Sequence, residues 1–86
     1  MKHAGAAALD RLEPLLARLR ASAALKEKAR GTFYVKGRAF LHFHEDPAGL
    51  FADVRASDGT DFDRLRVETD EERAALLARV EASLNR

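Results

Sequence analysis

The run His42-Phe43-His44-Glu45-Asp46 holds the densest group of chemistry-bearing residues in the chain. Two histidines one residue apart on a strand point to the same face, so their imidazoles can chelate one metal ion. Asp53 falls on the neighbouring strand and the same face, which makes it the natural third ligand. His42, His44 and Asp53 with an open fourth position would be a hydrolytic zinc or iron site. Without a metal, a histidine titrating near neutrality beside a carboxylate is the smallest kit for general acid–base chemistry, and His42 with Asp53 meets it. The plainer reading of the same residues is two surface histidines hydrogen-bonded to neighbours across a pair of strands. No glycine-rich phosphate loop, G-x-S-x-G elbow or nucleophile with an evident base accompanies them, so enzymatic activity is left open and no cofactor is expected.

These residues are positioned by a β-rich stretch from Thr32 to Val67 in which three turns can be read from their chemistry. Lys36-Gly37 suits a two-residue loop that sets Val35 opposite Arg38, Tyr34 opposite Ala39 and Phe33 opposite Phe40. Glu45-Asp46-Pro47-Ala48-Gly49 is rich in turn formers, and Asp58-Gly59 is a strong hairpin signal that pairs Asp53 with Arg64 and Ala52 with Leu65. Four antiparallel strands follow. Alternation then sends Tyr34, Ala39, Leu41, Phe43, Leu50, Ala52, Val54, Leu65 and Val67 to one face, the expected core. The other face collects Phe33, Val35, Arg38, Phe40, His42, His44, Phe51, Asp53, Arg55, Phe62, Arg64 and Arg66.

That second face gathers four of the five phenylalanines among arginines and histidines. Left uncovered, it is an apolar patch with a charged rim, the kind of surface that binds a partner or ligand. Its expected binding residues are Phe33, Arg38, Phe40, His42, His44, Phe51, Asp53, Phe62, Arg64 and Arg66, and its simplest occupant is a second copy of the chain. The competing expectation is that its phenylalanines are buried under the first helix or the N-terminal tail.

Helices flank the sheet. Leu9, Leu12, Leu15, Leu16 and Leu19 recur at three- and four-residue spacing, predicting an apolar stripe on a helix between about Asp10 and Leu25. Pro14 is tolerated in a first turn, which suggests a start near Glu13 with residues 1–9 frayed. Lys26 to Arg30 reads as the charged end of that helix, closed by Gly31. At the other end Thr69-Asp70-Glu71-Glu72 is a capping box, followed by the stripe Leu76, Leu77, Val80 and Leu84. The fold class expected is α+β, ordered α-β-β-β-β-α over a single domain of residues 1–86, with both helices on one face of an antiparallel sheet.

Eighty-six residues leave no room for a second core, and 47% apolar with 34% charged residues is a globular balance. The absence of cysteine excludes a disulfide framework, a thiolate zinc site and a cysteine nucleophile, and favours a cytoplasmic setting. The alanine-rich patch before Leu9 is cut off by Asp10, Arg11 and Glu13, short of a signal-peptide core, and no run is long enough to span a membrane. Net charge is +1, but residues 1–40 hold nine Lys/Arg against three Asp/Glu, and residues 41–86 hold six against eleven. Halves of opposite sign are expected to attract within the fold or across a dimer. Lys26, Lys28, Arg30, Lys36 and Arg38 around Phe33 and Tyr34 give the basic-aromatic mixture of single-stranded nucleic-acid binding, expected here to be weak and non-specific.

The stretch Ala23 to His44 resembles the opening helix and first hairpin of the MmcQ/YjbR group of small bacterial α+β proteins, through Gly31, Phe33, Val35, Gly37, Arg38 and Phe40. It is similar in the same region to the YdhG/YobT-like bacterial domains. The first resemblance implies an α+β fold often labelled as DNA-binding, and the second implies no particular function.

Overall fold

A computed structural model describes residues 1–85. The order of elements is β1 (Lys2–His3), α1 (Ala6–Arg20), β2 (Lys26–Ala29), β3 (Thr32–Val35), β4 (Arg38–Asp46), β5 (Gly49–Arg55), β6 (Phe62–Arg66) and α2 (Asp70–Leu84). The class is α+β, with an N-terminal and a C-terminal helix and an antiparallel sheet. Strands run β2-β3-β4-β5-β6 across the sheet, and β1 pairs with the distal half of β4, in line with β3. The sheet therefore has two strands more than the four expected from turn chemistry.

Two of the three expected turns set the central registers. The tight connection at Pro47-Ala48 pairs Asp46 with Gly49 and carries the alternation through to His42 opposite Asp53. Across the Asp58-Gly59 connection the register places Asp53 opposite Arg64 and Ala52 opposite Leu65, as expected, although the turn itself runs Ala56–Gly59, with Gly59 N donating to the Ala56 carbonyl at 2.9 Å. The Lys36-Gly37 turn pairs Val35 with Arg38 and Tyr34 with Ala39, and there the expected register stops. Phe33 lies opposite Leu41, because Phe40 is an extra residue bulged out of β4. A bulge turns consecutive side chains toward one side and re-aims the strand.

The consequence is a correction to the face assignment. Phe33, at 0% exposure, and Phe40, at 7%, belong to the buried core with Leu41, Phe43, Leu50, Ala52, Val54 and Val67. That core also holds Leu12, Leu15, Leu16 and Leu19 of α1 and Leu76 and Val80 of α2, so both helices cover the same side of the sheet. Core assembly decides the bulge: burying two phenylalanines contributes about 1.5–3 kcal/mol each, more than the unpaired ladder position costs.

The N-terminal residues, expected to be frayed, form β1 and the first turn of α1. Gly5 is the N-cap; its amide donates to Glu45 Oε2 at 2.6 Å and its carbonyl accepts from Leu9 at 2.9 Å. The helix then runs through Pro14 instead of starting at it. A proline in a helix interior costs about 3 kcal/mol, and burial of four leucines at about 1.5–3 kcal/mol each outweighs it. At its C-terminus α1 ends at Arg20, short of both the Leu25 bound and the charged Lys26–Arg30 end expected, and Lys26–Ala29 is an edge strand. Gly31, at φ +80°, makes the turn into β3 with its amide held by Glu27 Oε2 at 2.9 Å. The α2 boundary is the capping box: Glu72 N donates to Thr69 Oγ1 and Thr69 N donates to Glu72 Oε1. Among the described residues no helix is long and apolar enough to cross a membrane.

Candidate functional site

With the helices on one side, the other side of β4, β5 and β6 is lined by His42, His44, Phe51, Asp53, Arg55, Phe62, Arg64 and Arg66, which pair across the strands in that register. Seven of the ten residues expected on this surface are there. Phe33 and Phe40 have moved to the core, and Arg38 is at a hairpin tip, where its guanidinium donates to the Gly59 carbonyl at 2.8 Å. The aromatic content of the face falls to Phe51 and Phe62, both half-buried. Phe62 is flanked by the Arg55 guanidinium, 4.7 Å from the ring centre, and by the edge of His42 at 5.1 Å.

The expected pairing of His42 with Asp53 is met in register, but the chemistry of Asp53 differs from that of a free ligand. Its carboxylate is buried and receives a bidentate pair of bonds from Arg64, Nε to Oδ1 at 2.7 Å and Nη2 to Oδ2 at 2.8 Å. That guanidinium holds the Asp53 carboxyl below its usual range. Oδ2 also lies 3.2 Å from His44 Nε2. Asp53 is thus committed to Arg64 and His44, and the third member of the histidine group is another residue.

That residue is His3. Strand β1 sets it opposite His44, and one ring nitrogen from each of His3, His42 and His44 lies within 4.8 Å of the others. The His3 ring stacks on His44 with centroids 4.6 Å apart, while His42 meets His44 edge-on at 5.0 Å. His42 Nδ1 is 3.0 Å from His44 Nε2, so one of the two nitrogens carries a proton and the other a lone pair. The second nitrogen of His44, Nδ1, is buried and has no hydrogen-bond partner among the described residues. Burial pushes the His42 imidazole below its ordinary pKa, which keeps that ring neutral over a wider range. Sequence reasoning missed His3 because a two-residue strand has no periodicity to detect. The one available signal was composition, since the chain has three histidines and all three meet here.

Of the ion pairs among the described residues, most form within one half of the chain. Arg20 pairs with Glu13 and Glu27, and Arg30 with Asp10 and Glu13, all within the first half. Arg66 pairs with Glu72 and Arg79 with Asp63 within the second, and Arg11 with Glu68 joins the two. The basic-aromatic cluster expected to attract nucleic acid is also reduced. Phe33 is buried, Arg30 is neutralised by two carboxylates, and the Lys28 ammonium sits 4.5 Å over the Tyr34 ring.

No protein-family model, no curated protein and no solved structure matches the chain. The resemblance of Ala23–His44 to the MmcQ/YjbR group gains no support from them, and the segment it reads as a helix end is β2.

Proposed function

We propose that this chain is a binding module that works through the sheet face its helices leave uncovered, and that the occupant of that face is a second copy of the chain. The observation that supports the reading is that Phe51 and Phe62 stand on this face, half-buried, with charges of both signs around them: Arg55, Arg64 and Arg66 with Asp46 and Asp53. A twofold axis places each patch against itself, and a patch carrying apolar rings and both signs of charge is self-complementary under that operation. Loss of Phe33 and Phe40 to the core makes the patch smaller than expected from the sequence, so the association is a concentration-dependent one.

Sedimentation velocity tests it. At about 100 µM chain, where mass action favours association, the wild type sediments faster than a monomer and Phe62→Glu returns it to monomer with unchanged far-UV circular dichroism. A wild type that stays monomeric at that concentration overturns the proposal. The contact between His44 and Asp53 favours a second reading, a small acid–base or metal-assisted enzyme centred on His42 and His44. Single-stranded nucleic acid is a weaker candidate partner, served by Lys26, Lys28 and Lys36 alone and expected to bind only weakly and without sequence preference. A cysteine-free bacterial cytoplasmic protein is the setting these readings assume.

A further inference from the structure

One ring nitrogen from each of His3, His42 and His44 lies within 4.8 Å of the others, so three lone pairs can meet one ion once it displaces the proton held between His42 Nδ1 and His44 Nε2. His3 reaches the pair on β4 across 39 and 41 residues of chain, brought by a two-residue strand whose flank is held by Ala4 N to Phe43 O at 3.0 Å and Gly5 N to Glu45 Oε2 at 2.6 Å. His44 is largely enclosed, its side chain 12% exposed, with Nε2 beside both His42 Nδ1 and Asp53 Oδ2.

We infer that His3, His42 and His44 form a divalent transition-metal site of the zinc class. Three neutral nitrogen donors suit zinc, copper or nickel far better than calcium or magnesium, which want oxygen. On a tetrahedron with bonds of about 2.0–2.1 Å the donors lie about 3.4 Å apart. The ring nitrogens already lie within 4.8 Å of each other, with His42 Nδ1 and His44 Nε2 at 3.0 Å, so side-chain rotation is enough to close the site. Asp53 does not belong to the ligand set. Its carboxylate is held by the two bonds from Arg64, and its 3.2 Å contact with His44 is made to Nε2, the same nitrogen that faces His42 Nδ1. Three protein donors leave a fourth position to water or to an anionic ligand. The ion would also tie β1 to β4, so the N-terminal strand becomes part of the fold's cross-linking. All three ligands come from one chain, so the site stands whether or not the sheet faces associate.

The test is titration of the untagged full chain with zinc chloride by isothermal calorimetry, with amide hydrogen exchange as a second readout. One ion binds per chain. His3→Ala, His42→Ala and His44→Ala each weaken binding at least tenfold. Zinc slows exchange of the Ala4 amide in the wild type and leaves it unchanged in His42→Ala. A variant that loses its far-UV circular dichroism is replaced by the corresponding glutamine, which fills similar space without a metal-binding nitrogen. Absence of wild-type binding at about 100 µM zinc, well above the affinity of protein zinc sites, overturns the inference. So does a His3→Ala chain that binds as tightly as the wild type, and so does a stoichiometry of one ion per two chains.

Discussion

Replacement of each phenylalanine in turn separates the core from the uncovered face. Phe33 is fully enclosed and Phe40 nearly so, and both belong to the cluster that receives α1 and α2. Phe33→Ala removes a buried ring and leaves a cavity, at a cost of about 3–5 kcal/mol. For a domain of this size each kcal/mol moves the melting temperature by about 4–8 °C, so Tm drops by at least about 12 °C. Phe40→Glu adds an unpaired charge to a site 7% exposed, at several further kcal/mol. Total stability for 86 residues is about 4–13 kcal/mol, so this variant is largely unfolded at 25 °C. Phe62→Ala on the half-buried face costs about 1 kcal/mol, roughly half the value of a fully buried ring. Thermal melts followed by circular dichroism, with urea midpoints as a check, give the three values. A folded Phe40→Glu chain, or equal losses for Phe33→Ala and Phe62→Ala, would refute the bulged register at Phe40 and with it the assignment of the faces.

Two further outcomes are expected. Gly31 and Gly37 share φ +80°, but a Cβ at Gly31 would meet Leu9 Cδ2 at 2.6 Å while one at Gly37 meets nothing within 4 Å. Gly37→Ala therefore shows only the backbone strain of about 1 kcal/mol or more, and Gly31→Ala loses measurably more in urea denaturation; equal losses would mean that Leu9 yields without cost. The carboxyls of Glu27 and Glu68 are held below their ordinary range, by the guanidinium groups of Arg20 and Arg11 respectively. Groups whose folded pKa is depressed contribute stability that is complete above the unfolded pKa and is lost as the pH falls through the folded value. The urea midpoint thus declines on acidification below about pH 4.5, less steeply in Glu27→Gln, and a midpoint that rises there contradicts these ion pairs.

Residues that act on their immediate neighbours were legible without the fold. Thr69 and Glu72 cap α2 because a side chain reaching three residues along satisfies amides that every helix leaves free. Asp53 lies against Arg64 because the Asp58-Gly59 connection is short and centred where its turn residues stand, and the period-two alternation carries that register down both strands. For the same reason alternation alone places His42, His44, Phe51 and Asp53 on one face, as the β4–β5 register does.

The tertiary structure decided what no local rule contains. Phe33 and Phe40 point to the core because the helices offer a surface worth more to two aromatic rings than an unbroken ladder, and that comparison needs the helices in place. Lys26–Ala29 is a strand because β3 presents an unpaired edge, and its charged side chains suit an outermost position. Pro14 stays inside α1 because the leucines on either side of it are buried. The third histidine was hidden for the same reason: sequence spacing carries information over a few residues, whereas the approach of His3 to His42 and His44 is made by β1 lying beside β4, a contact between chain segments about 40 residues apart that exists only once the sheet has formed.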